Sequence, residues 1–153
     1  ADKFKDMIPE YQIMKKTNPK QAGEQYHLES AMLSEICLEY ALQNDYKIIS
    51  DGSLVDSNWY QEEIQRIQKT YPKYQKAIWI IYVYAPWEKV LERAQRRGKI
   101  TGREINVKKL RWVFDQVPKS IQILNNFVDQ TFFVDNSIDN VKELLVEKYK
   151  RID

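Results

Sequence analysis

Residues 77–85 read Ala-Ile-Trp-Ile-Ile-Tyr-Val-Tyr-Ala, an uncharged run dense in aromatic and β-branched side chains. A run of this kind is the pattern of a strand covered on both faces, which in an open sheet means a central parallel strand. Pro86 suits the first turn of a helix, and that helix is expected to run over 86–98 and stop at Gly98. Further on, 106–127 reads as a helix bent at Pro118, 130–134 as a strand, and 138–150 as a last helix. Upstream, 57–70 is an amphipathic helix closed by Tyr71-Pro72, and 46–50 (Tyr-Lys-Ile-Ile-Ser) is a short strand ending at Asp51-Gly52-Ser53. Residues 19–44 read as one long helix with Pro19 in its first turn, and 3–8 as a short one stopped near Pro9. Strands alternating with helices predict an α/β layered fold with a mostly parallel sheet. Ligands in such sheets lie beyond the carboxyl ends of the strands. That rule selects Asp51-Gly52-Ser53, Ala85-Pro86 and Asp135-Asn136-Ser137.

Composition narrows the function. The 153 residues are 43% hydrophobic and 12% aromatic, enough for a core and too much for wholesale disorder. With 24 basic against 22 acidic residues the net charge is +2, which excludes a polybasic nucleic-acid arm. One cysteine and one histidine exclude a disulfide framework and the usual zinc ligand sets, so no metal ligands are assigned. No apolar run approaches the roughly 18 residues of a membrane span, and no signal peptide opens the chain. The cytoplasm or another reducing compartment is expected, without a membrane partner. The chain opens on Ala, and four glycines are few for a nucleotide-binding enzyme. Residues 1–153 are therefore expected to form a single domain incomplete at its amino terminus.

Charge is unevenly spread. Between positions 93 and 111 stand eight basic residues against one acid, Glu104, leaving the rest of the chain net negative. Arginine binds phosphate oxygens with paired donors, so the block suits an anionic ligand; the alternative is a solvated helix face. Arg93, Arg97 and Arg103 flank Gly98 and Gly102, where a mobile lid would hinge. Glu35 shares a helical stripe with Leu28, Ala31, Leu38 and Leu42, which directs its carboxylate toward the core, where it needs a partner or ligand. The alternative places its head in water at the sheet edge. Asp2 and Asp51 lie at or near strand ends, where Asp is also an ordinary turn residue. Cys37 fits the core stripe, and His27 reads as a helix-face hydrogen-bonding residue.

Taken in order, these residues resemble the zeta-toxin family of P-loop kinases. Asp2-Lys3-Phe4-Lys5 with Pro9 and Tyr11 is similar to the family's D-x-[FI]-[RK]…P-x-[FY] segment. His27-Leu28-Glu29-Ser30 resembles a histidine-containing helical element of bacterial members, and Asp51-Gly52-Ser53 its [DE]-G-T turn. Tyr82-Val83-Tyr84-Ala85-Pro86 with Arg93 resembles Y-V-x-A-P…E-R, Thr101-Gly102-Arg103 the T-[GA]-R lid, and Asp135-Asn136 the D-N after the last strand. The resemblance implies an ATP- and Mg²⁺-dependent phosphotransferase acting on a hydroxyl of a small molecule or nucleotide sugar; the bacterial toxins phosphorylate UDP-N-acetylglucosamine. It implies Asp2 as base and Arg93 and Arg103 as γ-phosphoryl contacts. Glu35, Asp51 and Ser53 would line the acceptor pocket, with Arg97 and Asn136 on the nucleotide.

The 153 residues contain no G-x-x-x-x-G-K-[ST] loop; the one Gly-Lys pair, Gly98-Lys99, is followed by Ile100. Without that loop there is no backbone cradle for phosphates and no hydroxyl for Mg²⁺. Activity is therefore expected only with a segment that supplies the loop and the first sheet strand. The competing reading is a catalytically inactive kinase-derived component of a larger assembly, structural or nucleotide-sensing, whose sheet another polypeptide completes. A third, nucleic-acid binding through the basic block with Trp87 and Trp112 as stacking groups, ranks last because aromatic residues are sparse within the block.

Overall fold

The 77–85 run forms β1 (Trp79–Tyr84) in the computed structural model of the chain, which describes residues 2–101, 106–138 and 145–149. β1 pairs in parallel with β2 (Gln130–Asp135), in a register that sets Trp79 opposite Gln130 and Tyr84 opposite Asp135. β2 in turn pairs antiparallel with β3 (Leu145–Tyr149), giving the order β1-β2-β3. The expected α/β class is thus observed, but the described sheet is mixed rather than mostly parallel, and individual elements differ from expectation. The last helix, expected over 138–150, is strand across 145–149. β1 lies at an edge of the described sheet rather than at its centre. It is also covered on one face only: Ile80 is 6% exposed, while Trp79, Ile81 and Val83 on the opposite face are 52–60% exposed. Alternation along a strand places these two sets on opposite sides.

The chain divides into two compact units. The sheet unit comprises Ser53–Ala94 and Ile105–Asp153. Its helix α5 (Ser57–Thr70) starts where the Asp56 carboxylate accepts the Trp59 amide at 3.1 Å, satisfying one of the orphan donors of the first turn. A second helix, Val107–Leu124, is capped in the same way by Asn106, which accepts from the Lys108 and Lys109 amides. It runs through Pro118 as one helix, although Pro118 cannot donate to the carbonyl four residues back. These two helices pack on each other, and the core beside them consists of Ile64, Ile80, Leu124 and Val128, with Leu54, Tyr60, Ile78, Tyr82 and Phe127 against it. Each fully buried aliphatic side chain there contributes about 1.5–3 kcal/mol. Gln68 Nε2 ties the helix to the Phe127 carbonyl at 2.9 Å.

The helical unit comprises Ala1–Gly52 and Gln95–Glu104. It contains α1 (Asp2–Lys5), α2 (Pro9–Thr17), α3 (Pro19–Gln25) and α4 (His27–Gln43); α1 packs on α4, and α2 on α3. The helix expected over 19–44 is therefore broken at Tyr26, whose φ of −96° and ψ of 19° leave the helical basin. Its ring meets Tyr11 edge-on at 6.0 Å, a contact that anchors the break. α4 closes by donation from the Asp45 amide to the Leu42 carbonyl and from the Tyr46 amide to the Ala41 carbonyl. Asp45 takes a left-handed φ of 59° to make that closure. Residues 46–50 form no strand; Ile49 is 94% exposed, and strand geometry is not held without a pairing neighbour.

Candidate functional site

Pro86 follows β1 after Ala85, and its carbonyl accepts the Lys89 and Val90 amides, which starts α6 (Trp87–Thr101) at the strand's carboxyl end. Arg93 lies just under two turns along that helix. Its Nη1 donates to the Asn136 carbonyl at 2.8 Å, a charge-assisted bond between residues 43 apart in sequence. The Asn136 amide donates at 2.8 Å to the carbonyl of Tyr84, the last residue of β1. Asp135 Oδ1 accepts the Ser137 amide at 2.8 Å and also the Ser137 hydroxyl. The carboxyl ends of the two parallel strands are thereby joined to one another and to α6. Both Arg93 and Asn136 are half-buried.

The remaining basic residues of the block have diverse surroundings. Arg111 stacks over Trp87 at 4.9 Å and Phe114 at 5.4 Å from the ring centroids, and its Nε holds Asp115 at 3.0 Å. It is engaged in local packing, as is Trp87, which meets Phe114 edge-on at 5.4 Å. Arg97 is exposed on α6. Gly98 does not end that helix, which continues to Thr101, so the first hinge expected of the lid lies inside regular helix. Gly102 and Arg103 lie outside the described residues.

Glu35 corrects the stripe argument. It is exposed on α4, as is Leu28 on the same stripe, and the buried positions of that helix are Ser30 and Leu42. α4 carries apolar residues on all sides, so periodicity did not define which side faces inward. Cys37 is likewise exposed rather than in a core. Asp51 and Ser53 are exposed, Asp51 in the helical unit and Ser53 at the start of the sheet unit. Leu54, next to Ser53, has a φ of 56° while packing against the sheet core. A left-handed φ is costly for a side chain of this size, and packing holds it there. Asp2 is the first residue of α1. His27 opens α4, is exposed, and its carbonyl accepts from the Ser30 hydroxyl at 2.8 Å.

Sequence reasoning missed two features. Lys5, three residues after Asp2 and at the end of α1, is only 2% exposed. A buried ammonium is tolerated only when compensated, which makes Lys5 part of the packed structure rather than a solvated charge. Ser137, reached by the strand-end rule, was given no role, although Asp followed two residues later by Ser is a local turn signature. Among the described residues two groups titrate away from their ordinary values. Burial pushes the Tyr82 phenol up, and the hydrogen bond from Lys15 to Asp6, 2.8 Å long on the surface, raises the Lys15 ammonium.

The sequence model of the Zeta toxin family matches residues 1–144, almost the whole chain, and the chain belongs to that family. No curated protein and no solved structure matches it. Membership places the chain among kinase-like, nucleotide-binding phosphotransferases, which in general use ATP and Mg²⁺. Mg²⁺ is usually held by one or two carboxylates together with water and substrate phosphates. Among the described residues no group of three or more potential ligands gathers around a metal position, and the 153 residues contain no G-x-x-x-x-G-K-[ST] loop to supply a hydroxyl. No Mg²⁺ ligand is therefore assigned. No helix among the described residues is long and apolar enough to cross a membrane.

Proposed function

We propose that this zeta-toxin family chain transfers the γ-phosphoryl group of ATP to a hydroxyl of a small molecule or nucleotide sugar, using a phosphate loop supplied from outside residues 1–153. The observation that carries this reading is the family match across 1–144, which takes in every motif assigned a role. In the reaction the acceptor oxygen bonds to the γ-phosphorus and its proton passes to Asp2. The bond to the β-phosphate bridging oxygen breaks, and ADP leaves. Such transfer depends on positioning and charge neutralisation more than on covalent help. Arg93 and Arg103 meet charge building on the equatorial oxygens. Arg97 and Asn136 contact the nucleotide, while Glu35, Asp51 and Ser53 line the acceptor pocket.

Asp2→Asn in the full-length protein tests the assignment. Transfer should fall by about 10²–10⁴-fold, the usual weight of a general base, while calorimetric ATP affinity stays within about twofold. Transfer at the wild-type rate removes Asp2 from the role.

One observation favours a second reading, an inactive nucleotide-sensing component whose sheet another polypeptide completes. The edge strand β1 exposes Trp79, Ile81 and Val83 together. A full-length protein that binds ATP, transfers no phosphate to any hydroxyl acceptor and co-purifies stoichiometrically with a partner would favour this alternative.

A further inference from the structure

The Asp135–Ser137 turn commits both backbone groups of Asn136. The amide goes to the end of β1, and the carbonyl goes to Arg93 on α6. The turn that aims this carbonyl is closed by Asp135, through the Ser137 amide and the Ser137 hydroxyl. A guanidinium is planar with donors in a fixed fork, so fixing one nitrogen restricts where the others point. We propose that Asp135 and Ser137 are positioning residues for Arg93: by closing the turn they present the Asn136 carbonyl to Nη1, and so set the guanidinium at the strand ends. The effect on transfer rests on the reading of Arg93 as a γ-phosphoryl contact.

The geometry gives this arrangement a kinetic signature distinct from a fold-stabilising staple. A displacement of about 1 Å at a transition-state contact costs on the order of 10²-fold in rate, whereas ground-state binding held by other groups changes little. Asp135→Ala removes the acceptor of both turn bonds, Asp135→Asn keeps one acceptor oxygen and the side-chain volume, and Ser137→Ala removes the hydroxyl arm alone. In the full-length protein Asp135→Ala should lower kcat by roughly 10–100-fold, with KM for ATP within about twofold. Asp135→Asn should restore most of the loss, and Ser137→Ala should fall between wild type and Asp135→Ala. Because Asp135 acts through Arg93, the Asp135→Ala/Arg93→Ala double variant should be no slower than Arg93→Ala alone. Losses that multiply in the double variant, or a loss confined to KM, would overturn the proposal.

Amide hydrogen exchange at Asn136 separates this proposal from the kinase reading, since it needs no turnover. Faster exchange at that amide in both Asp135→Ala and Arg93→Ala, with exchange in β1 unchanged, supports the coupling; wild-type exchange in both overturns it. A wild-type protein that transfers no phosphate, with accelerated exchange in both variants, strikes the kinase reading and leaves the positioning of Arg93 standing.

Discussion

In the sheet unit, Ile64, Ile80, Leu124 and Val128 close on one another beneath β1, and Leu124 is wholly buried. In the helical unit the described apolar residues that reach full burial are Ala22 and Leu42. Leu28, Met32, Ile36 and Tyr40 instead run along α4 at four-residue spacing and face solvent. The helical unit is held by polar devices: Asn18 capping α3 at the Gln21 amide, Asp6 accepting from Gln12 and Lys15, and the closure at Asp45. Exposed ion pairs contribute about 0–1 kcal/mol each, against several for a buried Leu. The two units therefore differ in what keeps them folded. The sheet unit carries its own core, and its Arg93–Asn136 junction inherits that rigidity. The helical unit, which carries Asp2, Glu35 and Asp51, rests on local hydrogen bonds.

Substitution can break this contrast. Leu124→Ala should cost about 2–5 kcal/mol in urea unfolding, because it leaves a cavity in close packing. Ile36→Ala on the exposed stripe should change stability by about 0.5 kcal/mol or less. Equal losses at the two positions would mean that α4 is covered as fully as the core. A functional counterpart follows at Glu35: Glu35→Gln should raise KM for the acceptor severalfold while leaving KM for ATP and the unfolding midpoint unchanged. A lowered midpoint with unaltered acceptor kinetics would make Glu35 structural.

The smallest effect concerns pH. Burial favours the neutral Tyr82 phenol, so its pKa in the folded chain lies above the ordinary value near 10. The associated stability is complete below that ordinary value and is lost as pH rises through the raised folded one. Tyr82→Phe should flatten the fall in melting temperature above pH 10 and leave the profile near neutrality unchanged. A parallel fall in both proteins would detach the alkaline loss from Tyr82.

Local signals were readable in the sequence where they decided the structure alone. The 77–85 run became β1, the helices expected over 57–70 and 106–127 formed as Ser57–Thr70 and Val107–Leu124, and the strand expected at 130–134 is β2, longer by Asp135. What failed depended on remote partners. Leu145–Tyr149 is strand because it pairs with β2, with Thr131 opposite Tyr149 and Asp135 opposite Leu145. Residues 46–50 have strand-like side chains but acquire no strand structure. The inward face of α4 was ambiguous because its apolar residues surround the axis, so the stripe left two placements open for Glu35, and the exposed one is observed. At the candidate site, the strand-end rule found Asp135-Asn136-Ser137, and the arginine cluster included Arg93. Their bond spans 43 residues, so no local pattern announces it.

The most direct test of the account is transfer of label from γ-labelled ATP by the full-length protein to a panel of hydroxyl acceptors that includes UDP-N-acetylglucosamine, with Arg93→Ala alongside. The account predicts labelled acceptor and ADP in equal amounts, with both reduced at least tenfold in the variant, as expected when a transition-state contact is lost. Tight ATP binding with no labelled acceptor, or transfer that Arg93→Ala leaves at the wild-type rate, would contradict it.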